Sequence, residues 1–332
     1  MVYRTVSYYR SQLEDLRNGT DGVRVVYRSE PEFLSVKECV GPRSLIVFDS
    51  SFNPPTIAHL ALVNDTIAFL HSSDAPRSIS TIPDSSDKSK TANVILLLAV
   101  QNADKPVAPA ALEHRLAMME RFSGDIGDPG VCSNVAIGIT PFAKFIDKAA
   151  AIVSSFPQIE EQVYITGYDT LVRLLDAKYY DGKTVAESLA EFMARCRIVC
   201  FIRDSPQWGS AAEQRQYVED IRSGRYANSI PPSWADRIHM RTLASGVNSS
   251  EYSKGAVQQQ SGDGGDGDDN GNDLLTHETV NRERRSLDLS IVSSTAARAA
   301  AKLGKVAGSG LTLNQIVPSI ITNYVRENHI YS

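Results

Sequence analysis

Short runs of consecutive hydrophobic residues alternate with longer segments of mixed polarity over most of the chain. Each run is four to seven residues long and hydrophobic at nearly every position, which is the pattern of strands covered on both faces of a parallel sheet. The strands predicted from these runs are Leu45–Phe48, Val94–Val100, Val135–Ile139, Val163–Thr166 and Ile198–Ile202.

The segments between the runs have the hydrophobic spacing of helices that cover a sheet. Strand and helix therefore alternate along the chain, which predicts an α/β fold built on a doubly wound parallel sheet. The helices predicted lie near Thr56–His71, Ala110–Arg121, Lys144–Phe156, Thr170–Leu175, Val185–Arg195 and Ala211–Arg222.

The two ends of the chain predict further elements. A helix candidate, Tyr3–Leu16, and a short strand candidate, Val23–Tyr27, come first, and we expect residues 1–40 to form an N-terminal extension packed on the core. Residues 41–332 then form one domain, which closes with a helix that begins at Pro318, a residue suited to a first helical turn.

Two segments interrupt the alternation and are predicted to be insertions. Residues 71–93 are rich in Ser, Asp and Lys, which is typical of a surface loop. Residues 245–285 contain a Gly/Asp/Gln tract, Ser249–Asp273, which has too few apolar side chains to offset the entropy lost on ordering. We expect this second insertion to be largely disordered; an acidic interaction or regulatory loop is the alternative.

The composition narrows the classes of function. With 34 basic and 39 acidic residues, the chain has no overall attraction for nucleic acid or for an anionic membrane. The N-terminus lacks the apolar core of a signal peptide, and the longest apolar run, "VILLLAV", is too short to span a bilayer. We therefore expect a cytoplasmic or nuclear protein, or one present in both compartments, with neither a nucleic-acid nor a membrane partner.

An unusual loop follows the first core strand. In "SLIVFDSSFNPPTIAHL" an apolar run ends in a polar turn with two prolines, Pro54 and Pro55, and the next helix opens with Thr56 and His59. Ligands of doubly wound sheets bind beyond the carboxyl ends of the strands, where the free N–H groups of helix N-termini attract phosphate. The loop is therefore a candidate phosphate site, although a histidine such as His59, taken alone, is more often a helix residue bonded to a nearby carbonyl.

A second helix start near the end of the chain has similar chemistry. The segment "SIVSSTAAR" places three hydroxyl residues, Ser293, Ser294 and Thr295, at a predicted helix N-terminus, and Arg298 lies on the same first turns. A serine N-cap explains one hydroxyl but not the arginine. Two strand-to-helix phosphate sites in one sheet are what a triphosphate substrate needs.

These segments resemble the motifs of a known superfamily. "SSFNPPTIAHL" is similar to the nucleotidylyltransferase signature G-[ST]-F-[ND]-P-x-[HT]-x-x-H, and "VSSTAAR" is similar to its I-S-S-T-x-x-R. "PAALEHRLAMM", "ITGYDTL", "CFIRD" and "IVPSIITNYVRENHIY" resemble further motifs of the nicotinamide mononucleotide adenylyltransferase family, in a divergent fungal-type branch. The resemblance covers roughly residues 44–332 and implies the Rossmann-like nucleotidylyltransferase fold.

The resemblance also implies a reaction, in which the phosphate of nicotinamide mononucleotide attacks the α-phosphorus of ATP to give NAD and pyrophosphate. The catalytic residues it implies are His59 and Thr56 at the ATP phosphates, with His59 at the α-phosphoryl group, and Arg298 at the phosphates that leave. Mg²⁺ is implied as the ion that accompanies ATP, without a protein carboxylate cage. The ATP-binding residues implied are Ser51, Phe52, Asn53, His59, Gly167, Asp169, Ser293, Ser294, Thr295 and Arg298.

The acceptor site is implied with fewer residues. Ser51 and Phe52 belong to it by the first motif, Arg203 by "CFIRD", and Lys105, in "QNADKPVAPA", is a candidate for the acceptor phosphate, with a solvated loop lysine as the alternative. No metal ligand is assigned.

The chain also departs from the family motifs. Ser50 replaces the leading glycine of the signature, Ala58 precedes the histidine, and Thr56 stands in place of the first histidine of the bacterial pattern. The tryptophan expected to stack on nicotinamide has no obvious equivalent, because Trp208 and Trp234 lie outside the expected segment.

Two other functions stay open at this point. One is nucleotidylyl transfer to a different phosphate acceptor. The other is an ATP-binding or ATP-hydrolysing protein with an interaction or quality-control role. The partners expected are ATP and nicotinamide mononucleotide, and a homo-oligomer or a protein bound through the acidic insertion remains open.

Overall fold

Seven strands form one mixed sheet within the part of the chain that the structure describes. That structure is a computed structural model, and it describes residues 2–31, 33, 44–72, 91–101, 109–127, 132–180, 182–203, 205–243, 289 and 292–331. The strands are β1 (Arg24–Arg28), β2 (Ser44–Asp49), β3 (Thr91–Ala99), β4 (Cys132–Thr140), β5 (Glu161–Gly167), β6 (Cys196–Phe201) and β7 (Ile238–Arg241). Their order across the sheet is β1-β4-β3-β2-β5-β6-β7, with β1 antiparallel to β4 and the other neighbours parallel.

Helices cover both faces of the sheet. Two short 3₁₀ helices, Ala177–Tyr179 and Pro232–Arg237, supplement them. The α-helices are α1 (Val6–Asn18), α2 (Ile57–Leu70), α3 (Leu112–Ser123), α4 (Phe145–Ser155), α5 (Tyr168–Leu174), α6 (Val185–Arg195), α7 (Ala211–Arg222), α8 (Ser294–Leu303), α9 (Leu313–Ile316) and α10 (Ser319–Glu327).

Alternate residues of each central strand enter two separate hydrophobic cores. In β2, Ile46 and Phe48 pack with α1, α2, α3 and the C-terminal helices, whereas Leu45 and Val47 pack with α4, α5, α6 and α7. Because both faces are covered, nearly every residue of these strands is apolar, which is why short hydrophobic runs identified them. The doubly wound α/β fold predicted from the sequence is confirmed.

The order of the strands fixes where a ligand can bind. The chain winds from β2 outward through β3 to β4, then returns to the other side of β2 to place β5, β6 and β7. Helix connections therefore diverge between β2 and β5, and the crevice beyond the carboxyl ends of these two strands is the topological switch point where doubly wound sheets bind ligands. The loop after β2 that carries His59 and the "ITGYD" segment after β5 both end at this crevice.

The predicted elements are found within three residues of their expected bounds, with informative differences. Strand β3 begins at Thr91 rather than Val94, because Thr91–Asn93 pair with the first residues of β4. The insertion predicted at 71–93 therefore ends earlier; its residues 73–90 lie outside the described residues, as does the whole of the predicted insertion at 245–285. Strand β7 was missed, since a four-residue edge strand with two polar residues gives no hydrophobic run.

None of the helices in the described ranges is both long enough and apolar enough to cross a membrane.

A buried carboxylate of α3 attaches the first helix to the rest of the domain. Glu120 of α3 is 3% exposed and accepts hydrogen bonds from the Arg4 backbone N–H (3.0 Å), from Arg4 Nη1 (2.9 Å) and from the Tyr9 hydroxyl (2.9 Å). Three donors, one of them cationic, compensate for the loss of water around the carboxylate. Helix α1 is thereby held against α3, and β1 continues as an edge strand beside β4.

Replacing Glu120 by alanine should destabilise the protein by about 2–4 kcal/mol, because it leaves the buried Tyr9 hydroxyl and the Arg4 guanidinium without their acceptor. Urea unfolding measures this change. The matched control is Glu113→Ala on the same helix, whose ion pair (3.1 Å) is with the exposed Arg10 and should contribute less than about 1 kcal/mol. Equal losses in the two variants would contradict the role given to Glu120.

Candidate functional site

The loop between β2 and α2 has an unusual backbone that turns its polar groups toward the crevice. Phe52 lies in the left-handed region (φ 42°), and the Asn53–Pro54 peptide bond is cis. Non-glycine residues adopt positive φ rarely, and such positions cluster at functional sites. The Phe52 side chain is fully buried against Phe48, Phe122 and the His59 ring. The Phe52 side chain, which the sequence analysis expected at the nucleotide, is therefore packed in the core, and only its backbone is left to contact a ligand.

His59 is held in one orientation and one protonation state. Its Nδ1 accepts a hydrogen bond from the Thr56 backbone N–H (3.1 Å), so the neutral imidazole carries its proton on Nε2. Nε2 lies 3.2 Å from the Ser50 hydroxyl, which lines the crevice. Burial lowers the pKa of His59 to about 4, so the ring is neutral at physiological pH. His59 is thus a neutral hydrogen-bond donor directed at the crevice.

Thr56 acts through His59. Its side chain is fully buried, caps helix α2 by accepting from the His59 backbone N–H (3.4 Å), and places Oγ1 2.7 Å from His59 Nδ1. The sequence analysis expected this hydroxyl at a phosphate. In the structure the Thr56 hydroxyl is buried, and its contacts orient His59 in a reciprocal capping arrangement.

The second predicted loop joins the first at the crevice. Helix α8 is capped by Ser293, whose hydroxyl accepts from the Ala296 N–H (3.1 Å). Ser294 Oγ donates to the Pro54 carbonyl (2.8 Å), and Arg298 Nη1 donates to the Asn53 carbonyl (2.7 Å). The prediction that the two motifs meet at one edge of the sheet is confirmed by these contacts.

Arg298 is also fixed on its own helix. Its Nη2 donates to the hydroxyl of Thr295 (3.0 Å), one turn earlier, so the guanidinium lies across the N-terminus of α8. A cation and the free N–H groups of a helix start then face the same space. Together they form an arrangement suited to several phosphate oxygens.

The C-terminal segment adds a contact that the sequence did not reveal. Tyr331, in the left-handed region (φ 71°), donates its hydroxyl to Asn53 Oδ1 (2.7 Å). Burial raises the pKa of this phenol, so it stays protonated and remains a donor. Asn53 is therefore held by two separate parts of the C-terminal region, through its carbonyl by Arg298 and through its side chain by Tyr331. The spacing of the closing helix gives no signal for this contact.

A cavity of about 320 Å³ opens beside the loop, at the carboxyl ends of β2 and β3. One part of its wall is formed by Asp49, Ser50 and Ser51 from the first motif. Aromatic and cationic side chains form much of the rest. They are Phe145, Tyr179, Tyr180, Arg115, Lys144, Lys148 and Arg173. Sequence analysis named none of these seven residues as site residues.

The cavity has no tryptophan in its wall. Trp234 is buried in the second core, and Trp208 contacts the edge of Tyr168 at 6.4 Å between ring centroids. The aromatic surface is supplied instead by Phe145, Tyr179 and Tyr180. A planar ring can thus be accommodated without the expected indole.

The segment after β5 approaches the crevice from the other strand. Gly167 is the N-cap of α5, and a Cβ there would lie 2.9 Å from Asp169 Oδ1, so a side chain would crowd the aspartate. Asp169 forms an ion pair with Arg173 (3.4 Å), which lines the cavity. Both residues thus lie at the switch point, where the sequence analysis expected ribose and adenosine contacts.

Of the two remaining acceptor candidates, only Arg203 belongs to the described residues, and it lies away from the cavity. Arg203 is exposed and does not belong to the cavity wall; its backbone is bonded to Gln214 on both sides, with distances of 3.2 and 2.8 Å. Lys105 lies outside the described residues.

Carboxylates near the cavity are already paired with cations. Lys148 of α4 is buried and bonds to Asp49 at the end of β2, and Asp169 pairs with Arg173. Within the described ranges no three His, Cys, Asp or Glu side chains are grouped as ligands of one ion. A divalent cation would therefore fit here through phosphate oxygens and water rather than through protein ligands.

No family model matches the chain, whereas individual known proteins are similar to it. A Schizosaccharomyces pombe protein described as "Putative nicotinamide mononucleotide adenylyltransferase" is 34% identical over 239 residues, which cover 72% of this chain and 81% of that protein. Two structures of Plasmodium falciparum nicotinic acid mononucleotide adenylyltransferase, complexed with NaAD or with APC, align over 87% of this chain and 97% of theirs with 9% identity and TM-scores of 0.45 and 0.43.

Tyr331→Phe should destabilise the protein by about 1–2 kcal/mol, because it removes one hydroxyl and leaves a buried Asn53 oxygen without its donor. The measurement is the free energy of unfolding in urea. Tyr8→Phe is the matched control: the Tyr8 hydroxyl bonds to the Val26 carbonyl (3.0 Å) at a more exposed position, so its loss should matter less. A smaller loss for Tyr331→Phe than for Tyr8→Phe would show that the C-terminus does not hold the loop.

The lowered pKa of His59 predicts a pH-dependent stability. The pKa is about 6.5 in the unfolded chain and about 4 in the folded protein, so the unfolded state binds more protons as the pH falls below 6.5. The stability that neutral His59 contributes is complete above pH 6.5 and should have fallen by about 2 kcal/mol at pH 5. In urea unfolding, wild type should lose that much more than His59→Gln between pH 7 and pH 5. Parallel pH curves would contradict a buried neutral ring.

Proposed function

The chain belongs to the nicotinamide mononucleotide adenylyltransferase family, and we propose that it transfers the adenylyl group of ATP to the phosphate of nicotinamide mononucleotide, which yields NAD and pyrophosphate. The observation that carries this proposal is the junction of two phosphate-binding motifs at the switch point. Arg298 and Ser294 bond the carbonyls of the loop that positions His59, which supports a single ligand bound by both helix N-termini.

The triphosphate of ATP would lie along the N-terminus of α8. The free N–H groups of this helix start and the Arg298 guanidinium supply positive potential, and the hydroxyls of Ser294 and Thr295 are near it. These groups are already in position before the reaction starts. They would therefore bind the β- and γ-phosphates in the ground state and hold pyrophosphate in the reverse reaction.

His59 would act at the α-phosphorus. The attacking phosphate of the acceptor is itself the nucleophile, so no covalent enzyme intermediate is needed, and catalysis consists of positioning and charge stabilisation. The Nε2–H of neutral His59 now bonds to Ser50. A phosphoryl oxygen that takes the place of the Ser50 hydroxyl would accept this proton as a hydrogen bond, and the bond strengthens as negative charge develops on that oxygen.

Mg²⁺ would enter with ATP as part of the substrate, bound to its phosphate oxygens, and would neutralise charge there. Asp49 and Asp169 are engaged by Lys148 and Arg173, so this chain's part is to hold the phosphates and not the ion.

The acceptor would occupy the cavity beside the loop. A volume of about 320 Å³ suits a mononucleotide, and the rings of Phe145, Tyr179 and Tyr180 offer apolar surface to a pyridine ring. Tyr180 is fixed there by a hydrogen bond from its hydroxyl to the Leu174 carbonyl (2.5 Å). We propose the nicotinamide mononucleotide as the acceptor, with the nicotinate nucleotide as the competitor to be compared directly.

Purified protein with ATP, Mg²⁺ and nicotinamide mononucleotide should form NAD and pyrophosphate in equal amounts. Parallel reactions contain nicotinate mononucleotide, or no acceptor. Phosphate release that needs no acceptor, without NAD, would overturn the proposal and favour an ATP-hydrolysing protein. If only another phosphate acceptor supports turnover, the proposed nucleotidylyl transfer stands but nicotinamide mononucleotide is not the acceptor.

Mutations in the two motifs should affect different kinetic parameters. His59→Ala should lower kcat by a factor on the order of 10²–10³ and leave ATP affinity nearly unchanged, because its bond matters most in the transition state. Arg298→Ala should weaken the binding of both ATP and pyrophosphate, because Arg298 would contact them in the ground state. Rates in both directions and ATP titrations measure this split.

Each variant has a control on its own helix. His71→Ala lies at the other end of α2, where the ring bonds to the Ile67 carbonyl (2.8 Å), and Lys302→Ala lies on the exposed side of α8. Both controls should keep wild-type kinetics. Normal turnover and normal ATP affinity in both His59→Ala and Arg298→Ala would remove the enzymatic proposal.

A further inference from the structure

A buried cation in the cavity wall lacks the partner that such a group needs. Arg115 of α3 is only 6% exposed and lines the cavity. Its Nε donates to the Ala110 carbonyl (2.9 Å), but its Nη2 is buried without a hydrogen-bond partner among the described residues. Buried guanidinium groups are normally paired with carboxylates, so Arg115 is an exception that calls for a functional explanation.

The charges around Arg115 make its position less favourable still. Burial lowers the pKa of the guanidinium; the Tyr331 phenol opposes this effect, and the cationic Arg298 adds to it. Among the described residues, no carboxylate belongs to the groups that shift its pKa. Two other cations of the same wall are already neutralised, Lys148 by Asp49 and Arg173 by Asp169. Within the described wall, Arg115 is thus a positive charge prepared for an anion.

An unpaired buried charge reduces the stability of the ligand-free protein, because its desolvation is not compensated. Proteins retain such groups where a ligand supplies the compensation. The missing partner must be anionic and must accept at least one hydrogen bond in the plane of the guanidinium. A phosphate group meets both requirements.

The position of Arg115 distinguishes between the two phosphates that the reaction brings together. Arg115 lines the cavity together with Ser50 and Ser51, whereas Arg298, at the start of α8, lies outside the cavity wall. Ser50 and Ser51 of the cavity wall belong to the same loop as Asn53, whose carbonyl accepts from Arg298, so the two phosphates would be adjacent. Adjacent phosphates beside the Ser50–His59 pair are what in-line attack at the α-phosphorus requires.

We propose that Arg115 binds the 5′-phosphate of the acceptor mononucleotide and orients it for attack. This inference rests on the proposed function, because it takes the acceptor to be a mononucleotide. It makes Arg115 a substrate-binding residue of the cavity, beside the Ser50–His59 pair and opposite the α8 phosphate site.

The test uses the full-length protein with Arg115→Met, which keeps the apolar length of the side chain and removes its charge. Binding of nicotinamide mononucleotide and of its dephosphorylated nucleoside is measured by calorimetry. Wild type should bind the mononucleotide more tightly than the nucleoside. The ratio of these two affinities should fall by about 10- to 100-fold in the variant, as for loss of a charge-assisted hydrogen bond. Affinity for ATP should change by less than about threefold.

Ligand-free stability separates a binding role from a structural one. Removal of an unpaired buried charge should leave the melting temperature of ligand-free Arg115→Met unchanged or raise it. Arg115→Lys, which keeps the charge without the planar fork, should recover part of the mononucleotide affinity. It also provides a folded comparison if the methionine variant does not fold.

Arg121→Met is the matched control on the same helix. Arg121 lies between the rings of Tyr3 and Tyr324, each 4.3 Å away, so its loss should lower stability and leave both ligand affinities intact. A lowered melting temperature of Arg115→Met with an unchanged preference for the mononucleotide would overturn the proposal. A loss confined to ATP affinity would also overturn it, because the phosphate would then be that of ATP.

The binding measurements need no turnover, so the two proposals fail separately. If wild type binds the mononucleotide through Arg115 but forms no NAD, the proposed reaction is wrong and the phosphate site stands. If wild type forms NAD and Arg115→Met retains full preference for the mononucleotide, the reaction stands and Arg115 has another role.

Discussion

The site depends on two hydrogen bonds that join the beginning of the domain to its end. Arg298 Nη1 donates to the Asn53 carbonyl across 245 residues of sequence, and Ser294 Oγ donates to the Pro54 carbonyl across 240. Those carbonyls belong to a turn in which Phe52 is left-handed, outside the regular hydrogen bonding of helix and strand, so donors from another part of the chain are needed. The start of α8 supplies the missing donors, and the same contact sets two helix N-termini side by side. A structural requirement and the assembly of a phosphate site are therefore met by one interface.

The remaining contacts of the site extend from this interface. Tyr331 adds a donor to Asn53 from the C-terminal end, and Thr56 fixes the His59 ring with its proton on Nε2. Burial then keeps the imidazole neutral, which makes it a donor of fixed direction rather than a mobile cation. The cationic part of the site is left to Arg298 and Arg115. Such a division suits a reaction whose reactants already carry the nucleophile and the leaving group, because the protein has only to bind charges and align them.

Much of this arrangement was predictable from the sequence, for definite reasons. The core strands are buried on both faces, so hydrophobicity alone located them, and the loops with His59 and Arg298 carry polar residues where strands end. What could not be predicted depends on contacts between distant segments. Arg115 is an ordinary helix residue until the fold buries it, Tyr331 gives no periodic signal, and Tyr179 and Tyr180 reach the cavity only through the short 3₁₀ turn after α5. Phe52 and Thr56 were expected to contact the ligand because they belong to a ligand-binding motif. In the folded chain both side chains are buried by packing.

The central claim is that the β2–α2 loop and the N-terminus of α8 form a single triphosphate site. A crystal structure with Mg²⁺ and a non-hydrolysable ATP analogue tests it most directly. The account predicts the α-phosphate within hydrogen-bond distance of His59 Nε2 and the β- and γ-phosphates at the Arg298 guanidinium and the first N–H groups of α8. Phosphates bound elsewhere, with the Ser50–His59 and Arg298–Asn53 contacts undisturbed and the crevice free of nucleotide, would contradict it.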